Sequence, residues 1–475
     1  MQYNHAVDRL TIPSWRLSAL LIIVTLAIYA GALCGDFQYD DGFTILLNPH
    51  LESWEMFVGH LDHMVRPLLY VTFLVDRSLY GTSASGYHLL NMLLHFGAGL
   101  LVYRILTSAA TEETRYVPFW TALLFLIHPI QTETVSYISG RASGLMTFWY
   151  LLALLLYIKG TDDTSGHAIR RFYQALAVFA FILSLAAKEP AATFPLALLL
   201  WDGLVRRLPG AALRDAILSR HSLFWLVTLM IAGLAWRHPR YADLAQFSLG
   251  IRPLGANFLS ELHAAAYSLW LFIAPWNQNF DHDLPVLHSL FQWPLPLDLL
   301  VLGGLVAGAC FLAPRLPLVS FGIAWFFLQL LPTSLIPRSD LLSERNLYLA
   351  SIGILLAAVV LASHLTRWLT QALERPGVVQ IGTGILVCAL ISTLCLATYH
   401  RNELYRDPVL LWSDTVDKSP NKARPHNNLG HAYALRDDWD RAVEEFRIAA
   451  QLDRDYVPAQ NNLRDAYLHR AGRER

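Results

Sequence analysis

The sequence predicts an all-α, polytopic membrane protein with a short C-terminal tail of helical repeats, and three observations carry that prediction. Over 475 residues, 55% are hydrophobic and only 15% charged, with a mean hydropathy of +0.37. Apolar runs of membrane-spanning length follow one another from Leu17 to about position 398. The last part of the chain shows a self-similarity at a fixed helical-repeat period. A formal net charge of −1 leaves no excess of cations to neutralise a phosphate backbone, which excludes nucleic acid as a partner. The four cysteines (Cys34, Cys310, Cys388, Cys395) lie in or beside apolar runs and form neither a CxxC pair nor a disulfide framework.

The first run, Leu17 to Leu33, follows Arg9 and Arg16. No small-residue cleavage site follows it, so it reads as a signal anchor with a cytoplasmic N-terminus. With about 17–25 apolar residues as the spanning criterion, further runs centre on 88–106, 117–132, 143–158, 172–187, 190–204, 222–236, 297–313, 317–336, 346–366 and 378–398, which makes eleven. The stretch 257–275 carries Asn257, Glu261 and His263 and ends on Pro275. Ionisable groups are costly in hydrocarbon and tolerated beside a wet cavity, so it reads as an interfacial or re-entrant helix, with a twelfth span as the alternative. Eleven spans put Lys159, Arg170 and Arg171, the Arg206–Arg220 cluster, and Arg367 and Arg375 in the cytoplasm. Segments 36–87, 132–142, 237–296 and 337–345 then lie outside.

The tail begins where charge reappears: 13 of the 36 basic and 13 of the 37 acidic residues fall in 400–475. This divides the chain into a multi-span body, 1–399, and a repeat tail, 400–475. The period is 34 residues, the tetratricopeptide value. Leu429, Gly430, Tyr433, Ala442, Phe446 and Ala449 take the signature spacings, and Asn428, Leu429, Ala432 and Tyr433 recur as Asn462, Leu463, Ala466 and Tyr467. Trp412 aligns with Phe446, Pro420 sits at the inter-repeat proline, and Arg454 stands where the next proline would be. One whole repeat flanked by two halves cannot bury its own apolar faces, so the tail is expected to lean on the body or on a partner.

The unusual polar residues gather on the predicted outer face. Tyr39-Asp40-Asp41-Gly42 opens a loop of about fifty residues right after the first span. Paired carboxylates there suit a general base or a cation site, and a solvated Asp-Gly turn is the structural alternative. Further along come Arg66-Pro67, His128-Pro129 with Glu133, Ser139-Gly140-Arg141, Lys188-Glu189-Pro190 and Ser343-Glu344-Arg345. Arginine at a span end can grip phosphate oxygens through its planar fork or merely snorkel. Asp281-His282-Asp283 with His288 is a generic metal-ligating pattern.

Taken in order, Tyr39-Asp40-Asp41, Arg66-Pro67, Tyr87-His88-Leu89-Leu90-Asn91 with Leu93-Leu94-His95, His128-Pro129 with Glu133 and Ser139-Gly140-Arg141, Lys188-Glu189 with Pro195, Ser343-Glu344-Arg345 with Leu347-Tyr348-Leu349, and then the repeats resemble the TMTC-type proteins. These are transmembrane and tetratricopeptide-repeat protein O-mannosyltransferases, with bacterial relatives. The resemblance implies a GT-C glycosyltransferase fold of about eleven spans plus interfacial helices. It also implies transfer of a sugar, mannose or another hexose, from a polyprenyl-phosphate carrier to hydroxyls of an acceptor protein on the non-cytoplasmic side. It makes Asp40 the base, with Asp41 aligning the acceptor or sharing the role. Glu133 and Arg141 would lie around acceptor or sugar and Lys188 and Arg345 near the carrier phosphate, with Arg66, Glu189 and Glu344 as further substrate-binding residues. Two departures stand out: Ser143 occupies a position that is acidic in many relatives, and the tail is much shorter than the animal repeat arrays.

The chemistry is self-consistent. A hydroxyl is a poor nucleophile near neutral pH, so one carboxylate must accept its proton. The leaving group is already a phosphate monoester, so cations rather than an acid should assist its departure. No cofactor is required, a divalent metal is compatible, and a single displacement predicts inversion. The alternatives are transfer to a lipid or surface glycan, or a non-enzymatic scaffold or transporter. Ionisable groups clustered at span ends rather than mid-span favour surface chemistry over transport. The short tail and the absence of a retention signal lean towards a bacterial inner membrane, with the endoplasmic reticulum as the alternative.

Overall fold

The computed structural model describes residues 14–473 apart from 163 and 165, and the topological reading of Arg9 lies outside them. Among the described residues the chain is helical, with no strand. In a bilayer every backbone donor and acceptor must be satisfied within its own segment, and the helix is the local way to do so. Among the described residues nine segments are long and apolar enough to cross: Trp15–Cys34, Ala84–Ser108, Ile138–Gly160, His167–Ala187, Gly210–Arg237, Leu295–Leu312, Pro317–Leu335, Glu344–Leu373 and Pro376–Leu404. The protein is thus multi-pass. The other two apolar runs are also helical but short. One stops where His128-Pro129 breaks it into a 3-10 turn, and the other opens as a 3-10 turn at Glu189-Pro190.

The body contains α1 (Ser14–Tyr29), α2 (Trp54–Gly59), α3 (Pro67–Tyr80), α4 (Ala84–Ser108), α5 (Val117–Ile127), α6 (Thr132–Val135), α7 (Arg141–Gly160) and α8 (His167–Ala187). It continues with α9 (Phe194–Leu200), α10 (Gly210–Ala216), α11 (Ser222–Arg237), α12 (Pro239–Ile251), α13 (Leu254–Ile273), α14 (Leu295–Leu312), α15 (Pro317–Leu335), α16 (Leu347–Leu373) and α17 (Pro376–Leu404). One apolar core runs through α4, α5, α7, α15 and α16, with Phe125, Tyr150, Trp325 and Tyr348 among its buried rings. α13 turns its polar residues inward: Asn257, Glu261 and His263 are buried, and His263 Nδ1 lies 2.9 Å from Asp298. At the end of the bundle away from the loops described below, Tyr157, Arg206 and His221 all reach the buried Asp202.

Four helices close the chain: α18 (Pro408–Lys418), α19 (Ala423–Ala434), α20 (Trp439–Leu452) and α21 (Val457–Arg473). Gly430 lies where a Cβ would come within 2.8 Å of the Phe446 ring, so a glycine there lets α19 and α20 pack closely. These helices do not stand apart from the body. Leu411, Trp412, Leu429 and Ala432 share one apolar cluster with Tyr137, Phe280 and Tyr405. Polar contacts reinforce this: Lys418 Nζ donates to the Gln278 carbonyl at 2.8 Å, and Asn279 donates to Ser419 at 2.8 Å.

Candidate functional site

The site is assembled by loops that meet at one end of the bundle. The segment after α5 is fixed first, because its carbonyls must be satisfied away from water. Asn91, buried in α4, aims its amide at the carbonyls of Val135, Tyr137 and Ile138 (3.2–3.4 Å) and accepts from Arg141 Nε at 2.7 Å. His128 Nδ1 accepts the Ile130 N–H at 3.1 Å, and Gln131 donates to Ser351 at 2.9 Å. Gly140 passes so close to the Glu133 carbonyl that a Cβ would run into it.

That loop holds the first-loop acids. Asp41 is fully buried: Oδ2 accepts the Gln38 N–H (2.8 Å), while Oδ1 accepts the Ser139 N–H (2.8 Å) and hydroxyl (2.5 Å). Burial pushes its carboxyl up to about 7 in spite of those donors. Asp41 therefore ties the first loop to the second. Asp40 differs: its backbone N–H donates to the Tyr137 hydroxyl (3.3 Å), while its carboxyl is half-buried. Burial raises its proton affinity, and Arg345, the Tyr137 hydroxyl and Arg424 pull it back.

Arg345 pairs with Glu133, and its charge also acts on Asp40. Glu133 accepts from the Arg345 N–H (2.8 Å) and the Ser343 hydroxyl (3.0 Å), with Arg345 Nε 3.6 Å away. The Arg345 guanidinium also sits over the Tyr137 ring. Next to it, Lys188 donates to Asn346 (2.9 Å) and to Ser143 (2.7 Å). Neither direct partner is charged. Burial and the cations Arg66, Arg345 and Arg338 hold the Lys188 ammonium well below its ordinary range. Arg66 grips Glu189 with two bonds (3.1 and 2.9 Å). Burial would raise the Glu189 carboxyl, but the Arg66 guanidinium brings it below the usual value. A crevice beside this cluster is lined by Glu261, Ser268, Thr333, Arg338, Ser343 and Asn346.

Asp40, Asp41, Arg66, Glu133, Lys188, Glu189 and Arg345 thus come together across four loops. Glu344 is one step further out, buried, accepting from the Asn279 N–H (2.6 Å) and His282 Nε2 (3.0 Å), with Arg401 3.9 Å away. Arg141 differs from the sequence expectation. It is fully buried, ion-paired to Asp76 (2.6 Å), donates to Asn91, Thr72 and the Tyr87 carbonyl, and packs its guanidinium on Phe73. This makes it a strut between α3, α4 and α7 rather than a group open to substrate. The metal pattern is also spent elsewhere, with Asp281 held by Lys422 and Arg424 and His282 by Glu344. Among the described residues no three His, Cys, Asp or Glu side chains converge as metal ligands. The sequence reading missed Arg338, Asp340 and Tyr137. The two opposite charges of Arg338-Ser339-Asp340 just after a span were the available signal.

The fold and this site define a multi-pass, all-helical membrane protein that gathers carboxylates and cations at one end of its bundle. No family model matches the chain. It resembles the TMTC-type protein O-mannosyltransferases over most of its length. It is 26% identical to the protein O-mannosyl-transferase F38B6.6 of Caenorhabditis elegans, over 92% of this chain and 63% of that one. It is 25% identical to human protein O-mannosyl-transferase TMTC1 (94% and 56%) and 26% identical to mouse TMTC4 (94% and 67%). The chain therefore spans about three fifths of the length of these three relatives. The crystal structure of ArnT from Cupriavidus metallidurans bound to undecaprenyl phosphate aligns over 96% of this chain and 77% of that one. It does so at 17% identity and a TM-score of 0.37, too low to define a shared fold.

Proposed function

We propose that this protein is a GT-C-type membrane glycosyltransferase that moves a hexose from a polyprenyl-phosphate carrier to hydroxyls of an acceptor protein on the non-cytoplasmic side. The body, 1–399, carries the reaction and the tail, 400–475, helps present the acceptor. The observation that carries the reading is the half-buried Asp40 carboxyl beside Arg345, on the edge of a cation cluster in which Lys188 has only neutral direct partners. The names of the relatives, protein O-mannosyl-transferases, support the same chemistry.

In this reading Asp40 takes the proton of the acceptor hydroxyl as its oxygen bonds to the anomeric carbon. The carbon–oxygen bond to the carrier breaks, its electron pair leaves with the phosphate, and the anomeric configuration inverts. Arg345 and Lys188 receive the growing phosphate charge, supported by Arg66 and Arg338. Asp41 and Glu133 hold the loops that carry Asp40 and Arg345. Lys188 donates only to Ser143 and Asn346, and the adjacent Glu189 carboxylate is taken up by Arg66, so an anion from outside is the natural counter-charge for this ammonium. Lys188→Met is expected to raise the donor KM about 10- to 100-fold, since a charge-assisted hydrogen bond contributes about 1.5–3 kcal/mol. Because the bond partners left behind, Ser143 and Asn346, are neutral, the variant should still fold. An unchanged donor KM would remove Lys188 from the phosphate site.

The test of the whole reading is mass spectrometry of proteins and glycans from cells with and without this chain. Loss of one defined hexose mass from particular proteins is the expected result. Unchanged proteins with an altered lipid or surface glycan would move the acceptor to those molecules, and no altered glycan would overturn the assignment.

A further inference from the structure

The closing helices reach the residue next to the candidate base. Trp412, from α18, meets the Tyr39 ring edge-on with centroids 5.4 Å apart, and meets Phe280 at 5.3 Å. Phe280 in turn packs edge-on against Tyr39 (6.1 Å) and Tyr137 (5.3 Å). Just after α17, the Tyr405 carbonyl accepts the Gln38 side-chain amide at 3.1 Å. Arg424 of α19 fastens the same wall to the body: its Nε donates to Asp281 at 2.6 Å and its Nη2 to Asp340.

Tyr39 sits at φ +44°, in the left-handed region that a bulky side chain rarely adopts. Such a conformation persists only where its surroundings over-determine it. Here the Asp41 N–H closes the turn on the Gln38 carbonyl at 2.8 Å, and the Trp412 and Phe280 rings hold the side chain, which is otherwise 40% exposed. The neighbouring Asp41 is pinned separately by Ser139 and the Gln38 N–H, and the Asp40 backbone by the Tyr137 hydroxyl and the Thr44 N–H, so the ring contact of α18 with this turn falls on Tyr39.

We infer that Trp412 is a positioning residue for Asp40: by clamping Tyr39 in its left-handed conformation, the first C-terminal helix sets the direction of the carboxyl, and the tail is a structural wall of the site. The inference rests on the reading of Asp40 as the base. It also means that whatever displaces α18 weakens transfer without touching donor or acceptor.

The test uses the full chain in nanodiscs, as parent, Trp412→Ala, Trp412→Phe and Asp40→Asn. Hydrogen–deuterium exchange over 36–46 needs no turnover. It should speed up in Trp412→Ala, stay unchanged within α7, and return to the parental rate in Trp412→Phe. With undecaprenyl-phosphate-mannose and a serine-rich peptide as probes, Trp412→Ala should lower kcat about 10-fold or more at an unchanged donor KM, because misplacing a reacting group slows the chemical step. Trp412→Phe should recover most of that loss. Parental exchange over 36–46 in Trp412→Ala, even with α18–α21 loosened, would overturn the inference and leave Trp412 as tail core only. A fully active Asp40→Asn would instead remove the base assignment, while the exchange comparison would still report whether Trp412 clamps this turn.

Discussion

Asp40→Asn is expected to lower sugar transfer about 10²- to 10⁴-fold, the usual contribution of a positioned general base, with little effect on folding. The amide keeps the shape of the side chain, and the backbone N–H that donates to the Tyr137 hydroxyl is untouched. It cannot take up a proton, so the acceptor hydroxyl would have to attack unassisted. A pH profile separates this from mere misplacement. Burial raises the Asp40 carboxyl above its ordinary value of 3.8, and the base works only when deprotonated. The parental kcat/KM should therefore rise with pH through a limb above the usual aspartate range, and Asp40→Asn should change the shape of that limb by removing the Asp40 contribution. Asp41 titrates in the same turn, pushed up to about 7, so the parental limb belongs to the pair. Asp41→Asn should act differently, loosening the junction with Ser139 and lowering the yield of folded protein as well as activity. Parental transfer by Asp40→Asn, measured on purified protein, would eliminate Asp40 as the base.

Most of the membrane body could be read from the sequence because lipid leaves the backbone so few choices. An apolar run long enough to cross must be helical, and nine of the eleven expected runs are helices of that length. The other two, at 117–132 and 190–204, are helical but interrupted, and a window of apolar residues does not register the breaks at Pro129 and Pro190. The face of the site was also legible, since the positive-inside tendency and span counting put Asp40, Glu133, Lys188 and Arg345 at one end. What could not be read was which of those charges would find partners within the protein. Arg141 looked like Arg345, a cation at a span end, until α3 brought Asp76 and Thr72 against it. Nothing singled out Asp76 in the sequence. The contact of Trp412 with Tyr39 crosses almost the whole chain, and the repeat spacing that identified Trp412 spoke only for packing within the tail.

Arg141→Met is expected to cost about 3–5 kcal/mol of stability, the effect of stranding one partner of a buried ion pair. Asp76 is nearly fully enclosed, and Arg141 supplies its ion-pair contact. Removing the guanidinium also leaves the Asn91 Oδ1 and the Tyr87 carbonyl short of a donor. Asn91 is the residue whose amide holds the 135–138 turn, so the damage should spread towards Ser139 and Asp41. The double variant Arg141→Met with Asp76→Leu should recover much of the loss, because an apolar pair of similar volume needs no counter-charge. Thermal unfolding of the purified variants in one detergent measures both effects. The same experiment separates a strut from a substrate contact. A strut lowers the unfolding temperature in the single variant and regains it in the double. An arginine that grips sugar or acceptor would leave the unfolding temperature unchanged and abolish transfer in both.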